Sequence, residues 1–177
     1  MANDCCYDMR VVGKSKEAVM RMGKILGYED PEFFLYRVMD MTSDGEEPER
    51  DGEYWVMDYF GDVAWAADRW MDDAPDFNEK SSTGAHYSNL HEICKALEIG
   101  VEVWAQEIGN GVQEHFIVNP CGSENVNETY SGLEAVDDGE GGEKLVGGFD
   151  DDFLIWSPVG DIMETFGEED DDGEDES

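Results

Sequence analysis

A chain with 45 Asp and Glu against 11 Lys and Arg carries a formal charge of −34 over 177 residues, and any fold it adopts must keep most of those carboxylates in water. The same charge limits what the folded surface can touch. Nucleic-acid phosphates and anionic lipid headgroups are repelled, while the basic proteins that ordinarily bind them are attracted. Against this repulsion stand 40% hydrophobic residues, including five Trp, which suffice for a packed core. Disorder throughout the chain is therefore not expected.

The charge is unevenly spread. Residues 1–28 hold Asp4, Asp8 and Glu17 against Arg10, Lys14, Lys16, Arg21 and Lys24, a net charge of +2. From residue 96 onward there are 24 acids and one base, Lys144, a net charge of −23. The length fits one domain. We expect a folded unit over 1–120, an acidic Gly-rich extension with short docked apolar segments over 121–166, and a disordered acidic tail (GEEDDDGEDES) over 167–177.

No stretch approaches the roughly 18 apolar residues of a membrane span, and MANDCCYDMR has neither the basic nor the apolar region of a signal peptide. A cytoplasmic protein is expected. Cys5, Cys6, Cys94 and Cys121 fit that compartment as unbridged thiols, and the Asn127-Glu128-Thr129 glycosylation pattern carries no meaning there.

Local signals lay out the elements. Residues 5–12 alternate as a strand, Gly13-Lys14-Ser15 ends it with a helix cap, and Ala18, Val19, Met22, Ile25 and Leu26 recur at helical spacing. Residues 33–41 and 54–61 read as the second and third strands, and DVAWAADRWMDDA as a short helix. Leu90, Ile93, Cys94 and Leu97 place a second helix between His86 and Leu97 that stops near Gly100. Residues 101–107 and 112–118 alternate on either side of Asn110-Gly111, a strong hairpin signal. The order strand, helix, strand, strand, helix, strand predicts an α+β fold: a ferredoxin-like split βαβ antiparallel sheet with two helices on one face, plus an acidic C-terminal extension. Beyond Asn119-Pro120 the apolar islands are Phe149, Phe153 to Trp156, and Ile162, Met163 and Phe166. These dock back on the sheet as an edge strand and a short helix, or else serve as a partner-docking segment.

Three stretches carry a resemblance: Asn3, Cys5, Tyr7, Met9, Val11, Val12 and Gly13; Phe60 to Trp65; and the run from Val101 through Phe116. Over about residues 3–120 the chain resembles the YubB ferredoxin-like family of small proteins borne by phages, plasmids and other mobile elements. The resemblance implies a ferredoxin-like fold and a mobile-element origin, and supplies no catalytic residues.

Tests for chemistry lead away from catalysis. His86, His91 and His115 are the only histidines; the first two share a helix face poorly, and His115 points to the opposite side of a strand from Glu114. Glu168, Asp170, Asp172 and Gly173 imitate the start of a calcium loop, but its closing bidentate Glu is missing. The cysteines carry no signature of activation and read as buried, inert thiols, and neither Gly109-Asn110-Gly111 nor Gly139 to Gly142 has a phosphate-binding frame. Tyr54, Trp55, Tyr59, Phe60, Trp65 and Trp70 lie among Glu53, Asp58, Asp62, Asp68, Asp72 and Asp73, so core packing, with one aromatic exposed for a protein partner, fits better than a base-stacking platform. No catalytic residue, cofactor or metal is expected.

What remains is an interaction protein. Its ordered carboxylates would mimic nucleic acid and inhibit a basic host DNA-binding protein or nuclease, as an anti-CRISPR or anti-restriction factor does, without binding nucleic acid or membrane itself. The expected partner-binding residues are Glu124, Glu128, Glu134, Asp137, Asp138, Glu140, Asp150, Asp151, Asp152 and Trp156. The alternative is a nonenzymatic phage or plasmid accessory protein whose acidity serves only solubility.

Overall fold

The computed structural model describes residues 4–73, 83–148 and 155–164. In β1 (Asp4–Gly13) the odd-numbered Cys5, Tyr7, Met9 and Val11 are buried and the even-numbered positions face the other way, the period of two of a strand. The Ser15 side chain accepts the Ala18 N–H at 3.2 Å and caps α1 (Lys16–Leu26), which buries the stripe Val19, Met22, Ile25 and Leu26. β2 (Phe33–Phe34), β3 (Thr42–Ser43) and β4 (Glu49–Asp51) are short, β5 (Tyr54–Ala64) is long, and a 3₁₀ helix spans Ala67–Met71. After β6 (His86–Tyr87), α2 (Leu90–Leu97) opens on a capping box between Asn89 and Glu92 and ends at Glu98, whose φ is 54°.

β7 (Ile99–Glu107) and β8 (Val112–Asn119) form the expected hairpin, with Glu107 opposite Val112 and Gly111 turning at φ +64°. β9 (Gly122–Tyr130) follows on β8, β10 (Glu134–Asp137) and β11 (Glu143–Val146) make a separate hairpin, and α3 (Val159–Glu164) is the last described element.

The main sheet has seven strands in the order β3, β5, β1, β7, β8, β9, with β4 also paired to β5, and its pairings are antiparallel. This corrects the expected ferredoxin-like split βαβ unit. Among the described residues strand is the commonest element, the sheet is wider than that unit, and helices pack on both of its faces. α1, α2 and the 3₁₀ helix share one face over a core that includes Tyr7, Met9, Trp70, Ile93, Val103 and Phe116. α3 packs on the other, where Ile162 meets Val12, Tyr54 and Ile117. Gly100 permits that approach, since a Cβ there would stand 2.8 Å from the Ile162 carbonyl oxygen, and Asn119 Nδ2 donates to the same oxygen at 3.1 Å.

Two further expectations change for local reasons. Residues 33–41 do not form one strand: β2 pairs in parallel with β6, Arg37 takes φ 53°, and only an isolated bridge from Val38 to Val63 precedes β3. The second helix starts at Leu90 rather than His86 because His86 and Tyr87 pair with β2. The short helix foreseen after β5 is the 3₁₀ turn, with Trp70 buried and Trp65 exposed. Phe149, Phe153, Leu154, Phe166 and the tail at 167–177 lie outside the described residues. Among the described residues no helix is long and apolar enough to cross a membrane.

Candidate functional site

The expected partner-binding residues that are described lie on β9, on the β10–β11 hairpin and in the segment before α3. Glu124 lies on β9, Glu134 and Asp137 on β10, and Asp138 and Glu140 in the turn that follows; all five are exposed. Glu128 is also in β9, and Asp150, Asp151 and Asp152 lie outside the described residues. Trp156 does not join them: it is half-buried over β1, with the Arg10 guanidinium 4.9 Å from its ring centroid.

The hairpin carboxylates are fixed by backbone donors. Asp138 Oδ1 accepts the N–H groups of Glu140 at 2.7 Å and Gly142 at 2.9 Å, which hold this carboxyl below the usual carboxylate range. Asp137 Oδ1 accepts the Gly139 N–H at 2.7 Å, although its register partner is Glu143, an unfavourable like-charge pair. Four bases outside this hairpin are ion-paired: Arg10 with Asp58, Lys14 with Glu53, Lys16 with Glu47, and Arg21 with Asp30 and Glu32.

Beyond α3, the sheet face opposite the main core carries a row of side chains set by register. Asp8 stands directly opposite Phe60 on β5 and Trp104 on β7, and Trp104 stands opposite His115 on β8. The Trp104 and His115 rings stack with centroids 3.6 Å apart. His115 Nε2 meets Glu102 Oε1 at 2.6 Å and its Nδ1 meets Asn127 Oδ1, so the ring is held at both nitrogens. Glu102, fully buried, also accepts the backbone N–H and the hydroxyl of Ser157, each at 2.9 Å. The cluster clamps the segment before α3 onto the sheet. Ser157 donates to the carboxylate rather than to the histidine, unlike the serine of a nucleophile–base pair.

Glu114 sits on the opposite face from His115, as the strand period requires. It is buried and accepts the Ala67 N–H at 2.9 Å and the Asp68 N–H at 3.4 Å, capping a 3₁₀ helix whose own N-cap, Ala66, has no side-chain oxygen. Burial, and then Asp68, push its carboxyl up to about 8.

The thiols differ from the expectation of uniform burial: Cys5 and Cys94 are buried, Cys6 and Cys121 exposed. Burial and Asp62 push the Cys6 thiol up to about 11, away from a thiolate at neutral pH. Of the aromatic set, Tyr54, Tyr59 and Trp70 are buried, while Phe60 and Trp65 are 43% and 55% exposed, two rather than one. His86 belongs to β6 and His91 to α2, and among the described residues no three His, Cys, Asp or Glu converge to hold a metal ion.

The Glu102, His115 and Ser157 cluster was missed from sequence, although half of it was accessible. Once Asn110-Gly111 fixes the hairpin register, His115 falls opposite Trp104 and diagonal to Glu102. Ser157, 55 residues from Glu102, leaves no such signal. Comparison of the chain with protein-family models, with curated proteins and with solved structures finds no match.

Proposed function

We propose that this protein uses its C-terminal half as a mimic of nucleic acid and occupies the basic channel of a host nuclease or other DNA-binding defence protein, in the way of an anti-CRISPR or anti-restriction inhibitor. Carried with this reading are nonenzymatic action, a host-cell cytoplasmic setting and the mobile-element origin implied by the resemblance to the YubB family. The observation in its favour is the segregation of charge. Four of the five bases in residues 1–28, Arg10, Lys14, Lys16 and Arg21, are held in ion pairs, whereas Glu124, Glu134, Asp137, Asp138, Glu140 and Glu143 are exposed in a C-terminal stretch whose single base is Lys144. Carboxylates pinned by backbone N–H groups, as at Asp137 and Asp138, are ordered before a partner arrives, which lowers the entropy lost on binding. Long-range attraction would speed encounter with a basic cleft, and the complex would be sensitive to salt because it uses the electrostatic term that DNA uses.

The test is displacement of a labelled DNA duplex from a panel of RNA-guided and restriction nucleases at about 50 mM and about 500 mM salt. Displacement at the lower concentration that fades at the higher supports the proposal. Salt-resistant binding of the duplex by the purified protein alone, or no displacement from any nuclease, overturns it.

A further inference from the structure

Wherever this chain brings Arg10 or Arg21 to rest, it gives the guanidinium both a carboxylate and an aromatic ring. Arg10 has Asp58 at 2.7 Å and the Trp156 ring centroid at 4.9 Å. Arg21 has Asp30 at 2.7 Å and the Phe33 ring centroid at 5.3 Å. On the sheet face opposite the main core Asp8 lies between Phe60 and Trp104 in register, which places a carboxylate between two aromatic side chains on one face. Among the described residues no guanidinium or ammonium of the chain reaches it. Arg10, the nearest base along the strand, is bound through two nitrogens to Asp58 at 2.8 and 2.7 Å.

We propose that Asp8, Phe60 and Trp104 form the anchor site for an arginine side chain of a basic protein partner. The proposal rests on the mimic reading and adds to it a specific contact outside the acidic hairpin.

The chemistry favours this occupant. Asp8 is half-buried with no hydrogen bond or ion pair among the described residues, and burial followed by the Asp58 charge raises its carboxyl above the ordinary value. An arriving guanidinium relieves that cost by pairing with the carboxylate, and its flat faces lie against the rings. Phe60, 43% exposed, leaves room for the approach, and Asp62 adds a second carboxylate one row along, opposite Cys6. The same carboxylates repel a phosphate, so a nucleotide base stacked on Trp104 is disfavoured.

The probe is a fluorescent octa-arginine peptide titrated into the full chain at about 0.3 M salt, where diffuse attraction is screened. Asp8→Asn is expected to weaken binding about tenfold and Phe60→Ala about threefold, with Phe60→Tyr restoring it. The Trp104 indole resonance, assigned with Trp104→Phe, is expected to shift with peptide in the parent chain and not in Asp8→Asn. The triple change Glu134→Gln, Asp137→Asn, Glu140→Gln is expected to lower affinity at low salt while leaving the Asp8 dependence intact. Melting temperatures within a few degrees of the parent certify each variant as folded, and Asp8→Asn, which removes only a charge, keeps the test open if Phe60→Ala unfolds. Binding by both Asp8→Asn and Phe60→Ala within twofold of the parent overturns the site. The two readings separate in the duplex-displacement assay. If the parent displaces no duplex while peptide binding still depends on Asp8, the mimic reading falls and the anchor stands. If the parent displaces duplex and Asp8→Asn matches it in both assays, the anchor falls and the mimic stands.

Discussion

Replacing Glu114 by Gln tests the energetics of the buried acids directly. The Glu114 side chain caps the 3₁₀ helix through the Ala67 N–H at 2.9 Å, and Gln can offer the same carbonyl oxygen while its NH₂ faces the neighbouring Asp68. In the folded chain this carboxyl is raised from 4.5 to about 8, chiefly by burial and then by Asp68. A raised carboxyl means that the native state holds a proton the unfolded state has released, so folding stability falls as pH rises from about 4.5 to about 8 and is level beyond. At about 1.4 kcal/mol per unit the loss has a ceiling of about 5 kcal/mol, and relaxation of the short helix around the charge brings the expected value to roughly 2–3 kcal/mol. Glu114→Gln lacks this titration. Urea unfolding of both proteins at half-unit steps from pH 5 to pH 9 should show near parity at the acid end, with the variant gaining steadily to roughly 2–3 kcal/mol above pH 8. A constant difference across the range, or a variant less stable than the parent at pH 8.5, refutes the assignment of Glu114 as a buried acid kept protonated by its surroundings.

Two other substitutions probe the frame that holds the face. Asp30→Ala removes a carboxylate that binds Arg21 and the N–H groups of Glu32 and Phe33 at 2.9 and 3.0 Å, and should cost about 3 kcal/mol in urea unfolding, the lower end for a buried pair because Arg21 can turn to water. Gly111→Ala places a Cβ 2.1 Å from the Leu133 carbonyl oxygen at a φ of +64°; a loss of roughly 2–3 kcal/mol is expected, with faster amide exchange in β7 and β8, and an unchanged melting temperature would contradict the hairpin geometry.

What the sequence discloses here is whatever is encoded locally. β1, the Ser15 cap with α1, and the hairpin at Asn110-Gly111 each carry their signal within a few residues, and each is found in place. β9 escaped because GSENVNETY, at the edge of the sheet, is polar apart from Val126 and Tyr130, so neither alternation nor apolar content marks it. The interruption between β2 and β3 escaped because a left-handed Arg37 has no residue signature. That α3 lies on the face opposite α1 is a tertiary choice, made by Gly100, Asn119 and the apolar patch of Val12, Tyr54 and Ile117, which converge only once the sheet exists.

The sequence discloses the acidic charge but not where each acid sits. Composition says that acids lie outside, and most do, yet Asp30, Glu102, Glu107 and Glu114 are buried in the chain that carries 45 of them. Each has donors where it is buried: Asp30 has Arg21 and two N–H groups, Glu102 has Ser157 and His115, Glu107 takes the Asn110 N–H at 2.7 Å, and Glu114 takes that of Ala67. These carboxylates close turns and cap helix ends, a structural use that no count of charges reveals. Against that pattern Asp8, half-buried between two aromatic side chains without a donor among the described residues, carries an electrostatic cost that the fold itself does not offset. A cost borne in the free protein and relieved by a cation makes the surface selective for guanidinium groups over bulk salt, which diffuse negative charge cannot do.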